Sequence, residues 1–378
     1  LCGGESTWQF FALSDVPTQD GRIWPTAAEA RNSPVGDISL VFCRACTYIW
    51  NADHQPEKVD FVGYDVSLEH SPSFREFTDS LAMRLIDSYD VRQKTVLDVG
   101  CGKGQFLRKL VQMGDNRGIG FDPSYVEPEG GEIENVECRR DYYGDSYTGI
   151  TADLFVCRHV IDVLGDAEHL PRLIRKATTP TSISYFEVPD ALYTFGSALV
   201  WNVVYEHKSW FTKPALKYLF EKCGYRVLRH ELCWNDEYQG ADLASEAVIA
   251  EMPLASARQE VESHLQAFVA SVNDTVGKWQ RKFDDLNEAN QRLTIWGAGA
   301  RCISLLNLCD PGPALDHVID VNPGRQGRYL PRTAQQIVAP EAIVDLNPHV
   351  LLISNPTYAA EIEANARQLG FGGEVWSL

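Results

Sequence analysis

A strand that runs into three closely spaced glycines constrains this chain more than any other feature. Residues 95–104 read Thr95-Val-Leu-Asp-Val-Gly-Cys-Gly-Lys-Gly104, a short apolar run with Asp98 inside it and Gly100, Gly102 and Gly104 directly after. Helical spacing of apolar residues resumes at Phe106. Glycine lets a turn backbone press against a ligand with no Cβ in the way, and open α/β sheets bind ligands at the carboxyl ends of their strands. Downstream, residues 118–121, 154–156 and 183–188 are short β-type runs, with helical patterns at 167–177 and 213–222. Alternation of this kind predicts an α/β fold with a doubly wound, Rossmann-like parallel sheet. Two last β-rich runs, 225–234 and 243–250, lack a helix between them and are expected to pair as an antiparallel edge.

The flanks have different textures. Residues 74–89 carry apolar side chains at three- and four-residue steps, an amphipathic helix. Residues 1–60 are rich in Trp, Pro, Gly and Asp with little periodicity, which predicts a small irregular module that needs a staple. Between 255 and 290, Val261, Leu265, Phe268, Val272, Val276, Trp279, Phe283 and Leu286 define one long helix. A second strand–glycine–helix unit opens at 293–299, with further strands at 318–320, 350–353 and 374–376. The expected division is a small N-terminal module over 1–62, the central sheet over 63–252, a connecting helix over 253–292 and a smaller Rossmann-like α/β domain over 293–378. A chain of 378 residues with 44% hydrophobic content has ample material for such cores.

Charge narrows the partners. With 34 basic against 52 acidic residues the chain carries −18, which argues against nucleic acid and anionic membrane surfaces. The longest apolar stretches reach about half of a bilayer span. A small-molecule partner and a cytoplasmic location are the expectation, with no secretory signal visible, the chain opening on Leu1, and monomer or homodimer left open.

The glycine turn reads G-x-G-x-G, whereas a dinucleotide site wants G-x-G-x-x-G with a phosphate on the helix N-terminus. An acid beside the turn suits a cationic ligand, and Asp98 can accept from the ammonium of an aminocarboxypropyl group. The next strand ends in Gly118-Ile-Gly-Phe-Asp122-Pro, where an acid can take both hydroxyls of a ribose. Asp141, Tyr142 and Tyr143 offer an acceptor and an aromatic flank for adenine, and His159, just beyond the 154–156 run, joins the cofactor set. The set describes S-adenosylmethionine. Val96-Leu-Asp-Val-Gly-Cys-Gly-Lys-Gly104 with Asp122 resembles the fingerprint of class I methyltransferases that use this cofactor. The alternatives are a tight turn capped by Asp98 and a dehydrogenase.

Of ten cysteines, Cys101, Cys157, Cys302 and Cys309 lie in apolar runs and suit packing. Cys2 and Cys43-x-x-Cys46 look like halves of a four-thiolate structural zinc site, with the fourth ligand expected upstream of Leu1; two ordinary thiols are the alternative. Together with Tyr185-Phe-Glu-Val-Pro-Asp190, Glu206-His207 in its aromatic setting, Asp320-Val-Asn-Pro and Tyr358-Ala-Ala-Glu-Ile362, these thiols resemble the three-part sugar C-methyltransferases of deoxysugar pathways. That resemblance implies an N-terminal zinc-binding module, a central methyltransferase and a C-terminal Rossmann-like domain. It also implies a nucleotide-linked 4-keto-deoxysugar, deprotonated next to the ketone to an enolate that takes the methyl group. His207 then serves as base, with Glu206, Tyr205 or Tyr64 orienting it or meeting the enolate oxygen.

Tyr205 adjoins Glu206 directly, where the sugar enzymes interpose one residue, and Tyr64 stands alone where they have a tyrosine-rich run. O-, N- or C-methylation of another natural-product scaffold therefore stays open, as does a binding protein that has kept the fold without the chemistry. In the C-terminal unit, Gly297-x-Gly299-x-x-Cys302 lacks the third glycine, and no acid is convincingly placed for a ribose. It reads as a module closing over the acceptor, with Asn322, Arg325 and Arg328 available for a phosphate or polar group; a solvated basic loop is the alternative.

Overall fold

The computed structural model describes residues 1–62, 68–127 and 134–378. Tyr64 lies outside the described residues. The glycine-turn strand, Thr95–Val99, occupies the interior of a seven-stranded sheet. Across the sheet the strands run Arg226–Cys233, Tyr238–Ala244, Ile183–Pro189, Leu154–Arg158, Thr95–Val99, Arg117–Phe121 and Val136–Arg139. All pairings are parallel except those of Tyr238–Ala244, which is antiparallel to both neighbours. The expected antiparallel hairpin is present, but its second arm is Tyr238–Ala244 rather than 243–250, of which only residues 243 and 244 are strand; that arm inserts against Ile183–Pro189 while the first ends outermost. Central strands covered on both faces read as continuous apolar runs, as parallel pairing requires. Helix Pro72–Tyr89 buries Phe74, Leu81, Ala82, Leu85 and Ile86, with Ser71 capping the amide of Phe74.

The N-terminal residues are more regular than their composition predicts. Thr7–Pro17, Val35–Cys43 and Ile49–Asn51 form an antiparallel sheet, and Ser209–Trp210, just after His207, adds its fourth strand. Register shifts between Gln9 and Phe11 and between Leu13 and Val16 interrupt the period of two, which hides the strand from a periodicity reading. This sheet has no core of its own. Phe10, Ile38, Leu40 and Phe42 pack in one cluster with Phe195, Trp210, Leu265 and Phe268. Helix Ala255–Glu288 is thus a staple for the module as well as a connector, burying Val261, Leu265, Phe268, Val272, Trp279, Phe283 and Leu286.

The C-terminal sheet is entirely parallel, in the order Gln336–Val338, Leu315–Ile319, Leu293–Trp296, Val350–Ile353, Glu374–Ser377. Its loops are tied to the other two parts. The hydroxyls of Ser71 and Ser73 each donate to Glu361 at 2.8 Å, Arg301 donates to Asn202 at 2.7 Å and pairs with Glu237 at 3.0 Å, and Trp24 donates its amide to the Tyr329 carbonyl at 3.0 Å. The carboxyl ends of both parallel sheets and the N-terminal residues Asp20 and Gly21 consequently enclose one cleft. Among the described residues, no helix is long and apolar enough to cross a membrane.

Candidate active site

The turn after Thr95–Val99 demands glycine for two separate reasons. Gly100 has φ +79°, and a Cβ there would meet Val160 Cγ2 at 2.2 Å; Gly102 has φ +55°, but a Cβ on it would project into open space. The first therefore packs against protein, and the second leaves its backbone bare to the cleft. Asp122 holds the turn in place: Oδ2 accepts from the Gly102 amide at 2.8 Å, and Oδ1 accepts from the Ser124 amide at 2.7 Å. Asp98 is buried beneath. Burial pushes its carboxyl up to about 7, against the opposing pull of the Arg158 guanidinium.

Arg158 is fixed by Glu187, whose Oε1 accepts from Arg158 Nε at 2.8 Å and lies 3.0 Å from His159 Nε2, while Oε2 accepts from the Tyr185 hydroxyl at 2.7 Å. Burial alone would raise the Glu187 carboxyl, but the Arg158 charge and these hydrogen bonds outweigh it and hold the group well below the usual range. His159 itself adopts φ +56° and meets Tyr238 edge-on at 4.4 Å. On the adenine side, Asp141 accepts from the Tyr147 hydroxyl at 2.5 Å and from the Tyr142 amide at 2.8 Å, and Tyr142 stands exposed at the rim.

Glu206 and His207 reach the cleft from the segment leading into Ser209–Trp210, so pairing of that strand with the N-terminal sheet positions them. Glu206 is buried, and its Oε1 accepts from the Gly21 amide at 3.0 Å. His207 Nε2 lies 3.6 Å from Asp162 Oδ2, and the ring meets Trp210 edge-on at 5.8 Å. Burial lowers the His207 pKa; Asp162 opposes that and His159 adds to it, so the ring is neutral at neutral pH.

From the C-terminal sheet, Asn322 and Arg325 are buried and line the same cleft. Arg325 Nη1 donates to the Ala298 carbonyl at 2.6 Å. An acid stands beside the second glycine turn as well. Asp320 Oδ2 accepts from the Ala298 amide at 2.8 Å and Oδ1 from the Asn322 amide at 2.8 Å, much as Asp122 ties Gly102 and Ser124, although Ala298 is the middle residue of its turn and Gly102 the third.

One cleft of about 800 Å³ brings together Asp98, Gly100, Gly102, Asp122, Asp141, Tyr142, His159, Glu206, His207, Asn322 and Arg325. Two expected residues fall outside its lining. The Tyr205 ring is buried against Gly36 and stacks on His54 at 5.3 Å, with its hydroxyl accepting from the Gln55 amide at 2.9 Å, so it is a packing residue. The Arg328 side chain is exposed, and its backbone pairs with Ile337. Sequence reasoning gave no role to Asp20, Asp162, Arg158 or Glu187. Glu187 lies within the quoted Tyr185–Asp190 motif, and Asp162 and Arg158 lie within five residues at the end of a recognised strand; Asp20 carried no signal.

Away from the cleft, the Sγ atoms of Cys2, Cys43 and Cys46 lie within 4.8 Å of one another, with Cys2 and Cys43 at 3.6 Å. Pairing of Thr7 with Cys43 brings the chain start to the Cys43–Cys46 turn. Tetrahedral zinc–thiolate geometry sets sulfurs about 3.8 Å apart, so the trio fits three corners of such a site.

Residues 70–230 match a family model described as a methyltransferase domain, and residues 240–376 match one described as a C-methyltransferase C-terminal domain. Solved structures resemble a little under half of the chain at low identity. The Burkholderia thailandensis 1,6-didemethyltoxoflavin-N1-methyltransferase, with 1,6-didemethyltoxoflavin and S-adenosylhomocysteine bound, is 13% identical over 46% of this chain and 81% of its own, with a TM-score of 0.36. A SAM-dependent methyltransferase from Aquifex aeolicus is 15% identical over 46% and 94%, at 0.35, and the mitomycin 7-O-methyltransferase is 20% identical over 47% and 58%, at 0.34. No curated protein matches the chain. The two matches give the chain a methyltransferase domain followed by a C-methyltransferase C-terminal domain: it is a class I methyltransferase of that build.

Proposed function

We propose that the enzyme methylates the carbon beside the ketone of a nucleotide-linked 4-keto-deoxysugar, by way of an enolate. One observation carries this reading. His207, a neutral imidazole 3.6 Å from Asp162, stands in the same cleft as the cofactor turn and as the buried Arg325 of the C-terminal unit. A proton next to a carbonyl needs a base that is unprotonated near neutral pH, and an imidazole depressed by burial meets that need. Asp162 orients the ring and stabilises it once it has taken the proton. Arg325 and Asn322 take the anionic, nucleotide end of the acceptor, a role that Arg328, exposed outside the cleft, does not share.

Asp98, the bare backbone at Gly102, Asp122 and the Asp141–Tyr142 pair hold the cofactor's ammonium, ribose and adenine in that order. His159, tied to Glu187, contributes at the boundary between cofactor and acceptor. When bound, S-adenosylmethionine supplies an electrophilic methyl group. Cys2, Cys43 and Cys46 hold a structural zinc with a fourth ligand, a role supported by the convergence of their sulfurs.

The test is proton exchange. With S-adenosylhomocysteine bound and a thymidine diphosphate-linked 4-keto-6-deoxyhexose in deuterated water, the enzyme should exchange the proton next to the ketone. His207→Ala should abolish exchange while binding S-adenosylhomocysteine as before. Equal exchange in the variant would move the base elsewhere.

A further inference from the structure

Asp20 has no motif around it, yet it sits where the N-terminal module, the Glu206-His207 segment and the C-terminal unit meet. It is buried, lines the cleft, and its Oδ2 has no hydrogen-bond partner among the described residues. Its neighbour Gly21 gives its amide to Glu206, so the chain itself holds the Asp20 and Glu206 carboxyls close together. An ionised oxygen buried with no partner is costly, and two adjacent buried carboxyls do not both ionise. Of the two, Glu206 has the amide that favours its charged form. Burial first and the Glu206 charge second push the Asp20 carboxyl well above the usual range, and Arg325 only partly offsets them.

We propose that Asp20 is an acceptor-binding residue whose O–H donates a hydrogen bond to a carbonyl oxygen of the acceptor. The inference rests on the enolate reading. As the C–H bond beside the ketone breaks, its proton goes to His207 and its electron pair moves into the carbonyl, so negative charge gathers on the oxygen that Asp20 contacts. Asp20 keeps its own proton throughout. A carboxylic acid kept neutral by its surroundings is suited to this, because it is a donor poised without reorganisation at the point where charge develops. The competing role is structural, an ionised Asp20 serving only as counter-charge to Arg325.

Two measurements separate them. Infrared difference spectra at neutral pH should show a protonated-carboxyl C=O band in the parent enzyme that is missing from Asp20→Asn. In the deuterium-exchange assay on the thymidine diphosphate-linked 4-keto-6-deoxyhexose, Asp20→Ala should lose roughly 100- to 1000-fold, the scale of a lost charge-stabilising donor, and Asp20→Asn, which keeps a neutral donor, about tenfold. Both variants should bind S-adenosylhomocysteine as the parent does, which shows that they fold. Absence of the band overturns the proposal whatever the acceptor is, and so does an asparagine variant as impaired as the alanine one. A parent enzyme that leaves the keto sugar untouched overturns the acceptor reading instead, and the band still decides whether Asp20 is the neutral donor.

Discussion

Glu187→Gln is the substitution whose cost follows most directly from the structure. The carboxylate is fully buried and serves Arg158 through two nitrogens at 2.8 Å, His159 at 3.0 Å, the Tyr185 hydroxyl at 2.7 Å and the Cys233 thiol at 3.7 Å. Glutamine keeps the shape and loses the charge, which leaves the Arg158 guanidinium without its hydrogen-bonded counter-ion, and with only the Asp98 carboxyl as a more distant one. Breaking a buried pair from one side costs about 3–5 kcal/mol. At roughly 2–4 °C per kcal/mol, that is a fall in Tm of roughly 6–20 °C.

The effect has a pH signature. The folded-state carboxyl is held below its ordinary value of about 4.5, so its contribution is present in full above that value and fades as pH falls below it. Parent and variant should therefore differ most at neutral pH and converge in acid. Thermal unfolding followed by tryptophan fluorescence from pH 7 down to pH 2, across the range in which the contribution fades, measures both. Adding Arg158→Met to Glu187→Leu should recover part of the loss, since it removes the stranded charge. A loss of under about 1 kcal/mol at pH 7, with parallel curves in acid, would refute the reasoning, because that is the scale of an exposed pair.

Three other outcomes are expected. The rate of methyl transfer should fall on the acid side with an inflection below 6.5, because burial depresses His207; Asp162→Asn should move that inflection lower still, since the Asp162 charge opposes the depression. Gly100→Ala should cost about 2–4 kcal/mol, from a Cβ driven to 2.2 Å of Val160 Cγ2 and a backbone at φ +79°, and should lose cofactor affinity in a calorimetric titration. Tyr205→Phe removes the acceptor of the Gln55 amide, which water can partly replace, and should cost about 0.5–1.5 kcal/mol in denaturant unfolding, with turnover unchanged, because that hydroxyl lies outside the lining of the cleft.

What the sequence made legible was local. Asp98, Gly100 and Gly102 lie in one run of ten residues, and Asp122 follows at the end of the next strand, so the cofactor side could be read from spacing alone. The helix from Ala255 to Glu288 was equally plain, because its apolar residues keep a strict helical step. On the other side of the cleft, Glu206 and Arg325 were named only through the resemblance and Asp20 not at all, because the three are far apart in the chain and meet only through tertiary packing. Tyr205 misled for the converse reason: adjacency to Glu206 and His207 does not place a side chain on their face, and the backbone turns the ring toward His54 and Gly36. The strand Thr7–Pro17 was hidden by its two register shifts.

The most direct test of the central claim is the fate of the methyl group. With S-adenosylmethionine carrying a carbon-13 methyl and the thymidine diphosphate-linked 4-keto-6-deoxyhexose, NMR of the product should show a methyl bonded to carbon, at the position next to the ketone. Its yield should collapse in His207→Ala. A label found on oxygen or nitrogen, or an unchanged yield in that variant, would contradict the account.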